Sequence, residues 1–383
     1  MNKIPTKKSG FNPNWQIKTL NEVCNKISAG GDKPEDCTTE KTEENQIPIF
    51  SNGIKNKGLC GYTKTPTITK PALTISARGI IGFACVRYEP FFPIVRLICV
   101  IPNEKLVVLE FLCYALQYII PQGEGTSVPQ LTIPNFKKIE IPIPPLDEQK
   151  RIASALSKID AYLENTIKLI EEKERFKRGI AKKLLTCKEG ENIPEARFKG
   201  FEDEWKETQI LEFVNNNIIK IEKGKSITKS KIEEGDIPVI AGGKTPPYYH
   251  NKYNYNFPCI TISASGSAGY VWFHDYKIWA SDCHVIYTDN KRYNIKFLYH
   301  YLKNIQDLIY YLQVGGVQKH VYAKDLIKLN IPNITIEEQE KIGGYLSLLD
   351  EEIDNLKKQK ELIKEMKRGA MQKLLSGEVR LLE

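Results

Sequence analysis

Ile141-Pro142-Ile143-Pro144-Pro145-Leu146-Asp147-Glu148-Gln149 ends a strand-like stretch and opens a helical one, and the chain makes the same change of period a second time. The later passage runs Leu329-Asn330-Ile331-Pro332, then Ile336-Glu337-Glu338-Gln339. Asp147 is placed to cap the first helix, and Thr335 followed three residues on by Glu338 has capping-box spacing. Beyond each cap the apolar residues step by fours and threes: Ile152, Leu156, Ile159, Leu163, Thr166, Ile170, and Ile342, Leu346, Leu349, Ile353, Leu356, Lys360, Ile363. That is an a/d heptad pattern held for about three heptads, with Lys and Glu on the flanks. Neither helix contains proline, and Gly377 stands where a C′ residue is expected.

Working outward, a shift of 190 residues lays Pro142 on Pro332, Glu148 on Glu338, Asp160 on Asp350, Lys177-Arg178-Gly179 on Lys367-Arg368-Gly369, and Trp15 on Trp205. With a shift of 187, Thr74-Ile75-Ser76-Ala77-Arg78-Gly79 meets Thr261-Ile262-Ser263-Ala264-Ser265-Gly266. The chain is an internal repeat, and each copy has a globular part followed by a heptad helix. The globular parts carry short β-branched and aromatic runs broken by Gly, Pro and Asn, which read as strands and turns. Each also holds one amphipathic helix, over Val107–Ile120 and Ile295–Leu312.

The expected fold class is therefore α+β. Two mixed α/β domains, residues 1–146 and 188–336, are separated by a long antiparallel two-helix coiled coil from residues 147–187 and 337–383, with pseudo-twofold repetition. The alternative is that each heptad helix packs on its own globular part. Matching seams favour pairing with each other. A helix of roughly 35 residues is about 50 Å long, enough for two readers one duplex turn apart, roughly 34–36 Å.

Length and charge agree with this organisation. A chain of 383 residues holds two such domains, and a net charge of +8 favours a polyanionic partner over an acidic small substrate. The nine cysteines form no CxxC, so zinc-ligand spacing is missing, and a reducing cytoplasm is the expected location. Met1-Asn2-Lys3-Ile4-Pro5 does not open a signal peptide, and no run reaches transmembrane length. GxxxxGK[ST] and GxGxxG do not occur. Thr245-Pro246-Pro247-Tyr248 resembles the (Asn/Asp)-Pro-Pro-(Tyr/Phe) motif of adenine methyltransferases, but Thr stands where the adenine amino group needs an amide or carboxylate acceptor, and the segment reads as a proline turn. Five scattered histidines give no acid–base pair, so no catalytic or metal site is expected.

The order of these pieces resembles the specificity (S) subunit of type I restriction–modification systems. The resemblance rests on the two globular parts, on Ile141–Gln149 with its looser copy ending in Glu337-Glu338-Gln339, on the helix ends 177–185 and 367–375, and on Trp15 and Trp205. It implies two target recognition domains, each reading one half of a bipartite sequence in double-stranded DNA, with the coiled coil setting the spacer. It also implies two methyltransferase (modification) subunits as partners and restriction subunits in the full complex. Cofactors are expected in those partners, namely S-adenosylmethionine, ATP and Mg, and none in this chain. Three alternatives stay open: a related system whose methyltransferase and nuclease are fused in one partner, a coiled-coil scaffold that binds protein, and a degenerate methyltransferase using Thr245–Tyr248.

Base-edge contacts require Arg, Lys, Asn, Gln, Ser or Thr on loops, while phosphates take cations and hydroxyls. Ser76 and Arg78, paired with Ser263 and Ser265, form the first candidate loops, which otherwise simply turn between strands. Gln130 in the Gly-rich stretch 123–130 matches Gln318, Lys319 and His320 after Gly315-Gly316. Asn52, Lys55 and Lys57 match Lys244, and these lysines serve phosphate or are plain solvated charge. Lys177, Arg178, Lys367 and Arg368 give each helix a basic end, read either as a partner-docking surface or as compensation of the helix dipole.

Overall fold

The computed structural model describes residues 11–120 and 131–381. The chain forms two compact units, one of Met1–Ile167 with Gln359–Glu383, the other of Lys168–Lys358. Both long helices are shared: the central helix, Leu146–Leu185, leaves the first unit after Ile167, and the distal helix, Ile336–Ser376, enters it at Gln359.

In the first unit, four antiparallel strands lie in the order Cys24–Ala29, Ile98–Pro102, Ala72–Ile75, Ala84–Arg87. A smaller sheet sets Ile47–Phe50 between Leu59–Thr63 and Phe92–Pro93, the last pair being parallel. Gln16–Thr19 pairs with the proline-bearing strand Glu140–Ile143. Proline donates no ladder bond, and a two-stranded ribbon leaves it a free edge. The second unit repeats each sheet. Its large sheet runs Ile219–Lys223, Cys283–Thr288, Cys259–Ser263, Val271–His274; Ile237–Ile240 lies between Tyr248–His250 and Trp279–Ala280; and Lys206–Gln209 pairs with Asn330–Asn333.

Helix Leu109–Ile119 buries Phe111, Leu112 and Leu116 against the first large sheet. In the second unit the stretch read as one helix breaks at Ile305 into Ile295–Asn304 and Gln306–Tyr311. At the break Gln306 opens the second helix and its side chain ties that point to the sheet: Nε2 donates to the Gly269 carbonyl at 2.7 Å and Oε1 accepts from Val271 N at 3.1 Å.

Within each unit the start of one long helix runs antiparallel to the end of the other. Ile152 and Leu156 share the first core with Leu374 and Leu375, and Leu184 and Leu185 share the second with Ile342 and Leu346. Fully burying one such leucine or isoleucine is worth roughly 1.5–3 kcal/mol. The four–three stepping continues past the heptads first read, through Lys173, Lys177, Ile180 and Leu184, and through Lys367, Ala370 and Leu374, all buried or half-buried. Lysines therefore occupy seam positions. Lys367 pairs with Asp160 at 2.6 Å and Lys177 pairs with Asp350, two ion pairs related by the repeat.

The recurring Glu-Gln is explained by packing. Gln149 is wholly buried; its Oε1 accepts from Val108 N at 2.8 Å, and its Nε2 donates to the Pro144 carbonyl at 2.8 Å and the Leu106 carbonyl at 3.1 Å. Gln339 accepts from Asn294 N and donates to the Ile334 carbonyl, both at 2.8 Å. Each glutamine thereby ties the base of a long helix to the start of its unit's amphipathic helix. Buried Glu148 receives a two-pronged contact from Arg380, which also lies 5.7 Å from the Trp15 ring. Buried Glu338 receives the same from Arg197, with the Trp205 Nε1 at 3.4 Å. The repeated tryptophans and glutamates belong to matching clasps.

Two capping expectations are corrected. Asp147 lies inside the first turn, favouring the helix dipole, while the Pro145 carbonyl receives the Gln149 amide. Thr335 Oγ1 accepts from Glu338 N at 3.4 Å, but the Glu338 carboxylate is committed to Arg197, so the reciprocal half of the capping box is absent.

Candidate nucleic-acid interface

Among the described residues, the loops singled out in sequence are tied to one another within each unit. In the first, Asn52 Oδ1 accepts from Ala77 N at 2.7 Å, and its Nδ2 donates to the Val95 carbonyl at 2.6 Å. One side chain thus ties the 51–58 loop to the 76–82 turn and to Val95-Arg96. Leu131, immediately after the segment 121–130, donates from its amide to the Ala77 carbonyl at 3.2 Å. In the second unit, Ser267 N donates to the Gly242 carbonyl at 2.7 Å, Val321 N to the Ala264 carbonyl at 3.0 Å, and Gln313 Nε2 to the Ala268 carbonyl at 2.7 Å.

The aligned turns use the same pair of left-handed glycines. Gly79 and Gly82 have φ of +68° and +84°, and Gly266 and Gly269 have +63° and +86°. A Cβ on Gly82 would sit 2.7 Å from Ile120 Cγ2, and one on Gly269 would sit 3.2 Å from Ile309 Cγ2. Only glycine combines that backbone with so close an approach.

The candidate residues divide by exposure. Lys55, Lys57 and Arg78 stand exposed in the first unit; Lys244, Gln318 and Lys319 do so in the second, where half-buried His320 stacks on Tyr322 at 6.2 Å. Lys244 and Lys303 flank the Tyr270 ring at 5.6 and 4.2 Å, and burial lowers the Lys303 pKa, as do Lys177 and Lys244. Other candidates face inward. Ser76 and Ser263 are 1% and 4% exposed: Ser76 directly follows the buried strand Ala72–Ile75, Ser263 ends the buried strand Cys259–Ser263, and the amide and carbonyl of each close the turn. Ser265 donates to Asp282, and Asn52 is fully engaged as a clasp. Gln130 lies outside the described residues. On the long helices Arg178 and Arg368 are exposed, whereas Lys177 and Lys367 are held in the seam.

Sequence reasoning missed exposed Arg96, beside Val95 at the same cluster. Thr245-Pro246-Pro247 is the loop leading into the strand Tyr248–His250. Burial pushes the thiols of Cys24, Cys99, Cys113, Cys259 and Cys283 up to about 12, keeping them protonated, and holds His274 and His300 down to about 3, keeping them neutral. Among the described residues no three His, Cys, Asp or Glu side chains gather as metal ligands, and no helix is long and apolar enough to cross a membrane.

The family model for the type I restriction modification DNA specificity domain matches this chain twice, over residues 12–172 and 202–365, which is most of its length. The chain belongs to that family. A relative from Methanocaldococcus jannaschii, named as the MjaX specificity subunit of a type I restriction enzyme, is 29% identical over 92% of this chain and 95% of its own. A second relative, from Mycoplasma pneumoniae and named as a type I specificity subunit, is 36% identical over 39% of this chain; the match spans 45% of that relative's length. The crystal structure of the type I restriction–modification S subunit from M. genitalium shares the fold, with a TM-score of 0.69 at 20% identity over 98% of this chain and 99% of that one. The two matches correspond to the two copies of the internal repeat.

Proposed function

We propose that the chain is the non-catalytic specificity subunit of a type I complex, in which each unit's loop cluster reads one half of a split duplex DNA target. The observation that carries this reading is that, among the described residues, the 51–58 loop and the 76–82 turn meet in the first unit, and the 242–245, 263–267 and 314–321 segments meet in the second, in exposed groups bearing Lys55, Lys57 and Arg78, or Lys244 and Lys319. Basic loops on a rigid sheet suit groove and phosphate contacts. The helices common to both units would set the unread spacer, and their exposed Arg178 and Arg368 would help dock two methyltransferase subunits, to which restriction subunits add. Those partners would supply S-adenosylmethionine, ATP and Mg.

Co-expression with the neighbouring methyltransferase gene, followed by sequencing of methyladenine in host DNA, tests the reading. Methylation at one split motif that disappears when this gene is deleted supports it. Methylation unchanged by the deletion removes it and favours a scaffold that binds protein.

A further inference from the structure

The first unit's loop cluster holds two left-handed turns linked through Asn52, and one of them is built on Val95-Arg96, residues that such turns disfavour. Val95 and Arg96 have φ of +54° and +57°; Asn56, Lys57 and Gly58 follow one another at +49°, +53° and +85°. A β-branched residue in this region is an outlier, and such conformations persist only where the surroundings enforce them, most often at ligand-binding sites. The surroundings here do enforce them. Asn52 holds the Val95 carbonyl, while the Val95 and Arg96 amides donate to the Gly31 and Gly30 carbonyls at 2.8 and 2.9 Å. Arg87 donates from Nη2 to the Lys57 carbonyl and from Nε to Thr74 Oγ1 at 3.1 Å, with its guanidinium 3.6 Å from the centre of the Phe50 ring. Among the described residues no carboxylate pairs with Arg87, so its charge is left at the foot of the loop.

Both turns display exposed polar heads: Arg96 from one, Asn56 and Lys57 from the other. In the second unit the only non-glycine residues with positive φ, among those described, are Asn217 and Asn290, and neither belongs to the loop cluster. We propose that these two turns form the base-reading edge of the first unit. Arg96 takes a guanine edge in the major groove, Asn56 is placed for an adjacent adenine, Lys57 takes phosphate, and Asn52 and Arg87 act as positioning residues. This inference rests on the DNA-recognition reading and deepens it by naming the readers of one half-site. Arginine forks to guanine and asparagine to adenine are the pairings that major-groove geometry favours.

The test uses the full chain co-expressed with the methyltransferase gene and a plasmid library in which every target base pair is varied. Arg96→Ala should lower selectivity at one G·C pair of one half-site by roughly ten- to hundredfold and leave the other half unchanged. Arg96→Lys keeps the charge but not the planar fork, so it should lose part of that selectivity while retaining overall affinity. Lys57→Ala should weaken methylation evenly across sequences, and Val95→Asn, which tolerates the left-handed turn, should preserve selectivity and slow amide exchange in the first unit. Selectivity retained at every position by Arg96→Ala overturns the proposal and spares the wider reading, as does relaxation spread over both halves. A wild-type chain with no split motif overturns both.

Discussion

Gln149→Met is the sharpest test of why Glu-Gln recurs. Methionine nearly matches glutamine in shape but cannot take up the contacts with Val108 N, Leu106 O and Pro144 O. Gln149 is wholly buried, so water cannot replace them. Each orphaned buried partner costs about 1 kcal/mol or more, which puts the substitution at about 3 kcal/mol. Gln339→Met breaks the two contacts made by that side chain and should cost about 2 kcal/mol. A chain of two units does not unfold as one two-state transition, so the assay is amide hydrogen exchange read separately in helix Leu109–Ile119 and helix Ile295–Asn304. Gln149→Met should speed exchange in the first helix and Gln339→Met in the second. A loss below about 0.5 kcal/mol for either variant, the level of an ordinary surface change, would refute the assignment of these glutamines as ties. So would loosening only of the other unit.

Other expectations follow from the same structure. His274 and His300 are held near 3, below the ordinary value of about 6.5, by burial, with Lys177 and Lys296 adding to the effect on His300. The unfolded chain then binds more protons than the folded one between those values, and stability falls as pH drops from about 6.5 towards 3. At pH 5 each histidine should cost about 2 kcal/mol, seen as faster exchange in helix Ile295–Asn304 while Leu109–Ile119 changes little; equal loss in both helices would count against it. Gly82→Ala should destabilise by about 1–3 kcal/mol, because strain and the contact with Ile120 add, and Gly79→Ala, whose Cβ meets open space, by about 1 kcal/mol; amide exchange in helix Leu109–Ile119 that ranks them the other way would refute the geometry. Lys319→Ala should reduce the slope of log affinity against log salt by about 0.9 for duplex DNA if it contacts one phosphate, and an unchanged slope would remove it from the interface.

The repeat, the strand classes and the antiparallel helices were legible because they are written in local period: twos in Ile141–Ile143, fours and threes from Ile152 onward. Inward-facing polar groups were not. Ser76 and Ser263 look like loop hydroxyls in a string of residues, and only the sheet decides that they are buried at the ends of central strands. Lys177 and Lys367 were read as basic helix ends, yet continuing the four–three count places both in the seam, opposite aspartates that the same repeat supplies. Arg96 left no signal at all. The run Phe91-Phe92-Pro93-Ile94-Val95-Arg96-Leu97-Ile98 contains neither Gly nor Asn, and its one breaker, Pro93, lies before the turn, so nothing in it marks a left-handed turn on Val95-Arg96.

The most direct test of the central claim exchanges residues 188–336 for the corresponding part of another family member and sequences methyladenine in the host. If each unit reads its own half, one half of the split motif changes while the other half and the spacing stay. A motif that changes in both halves, or in neither, would contradict the account.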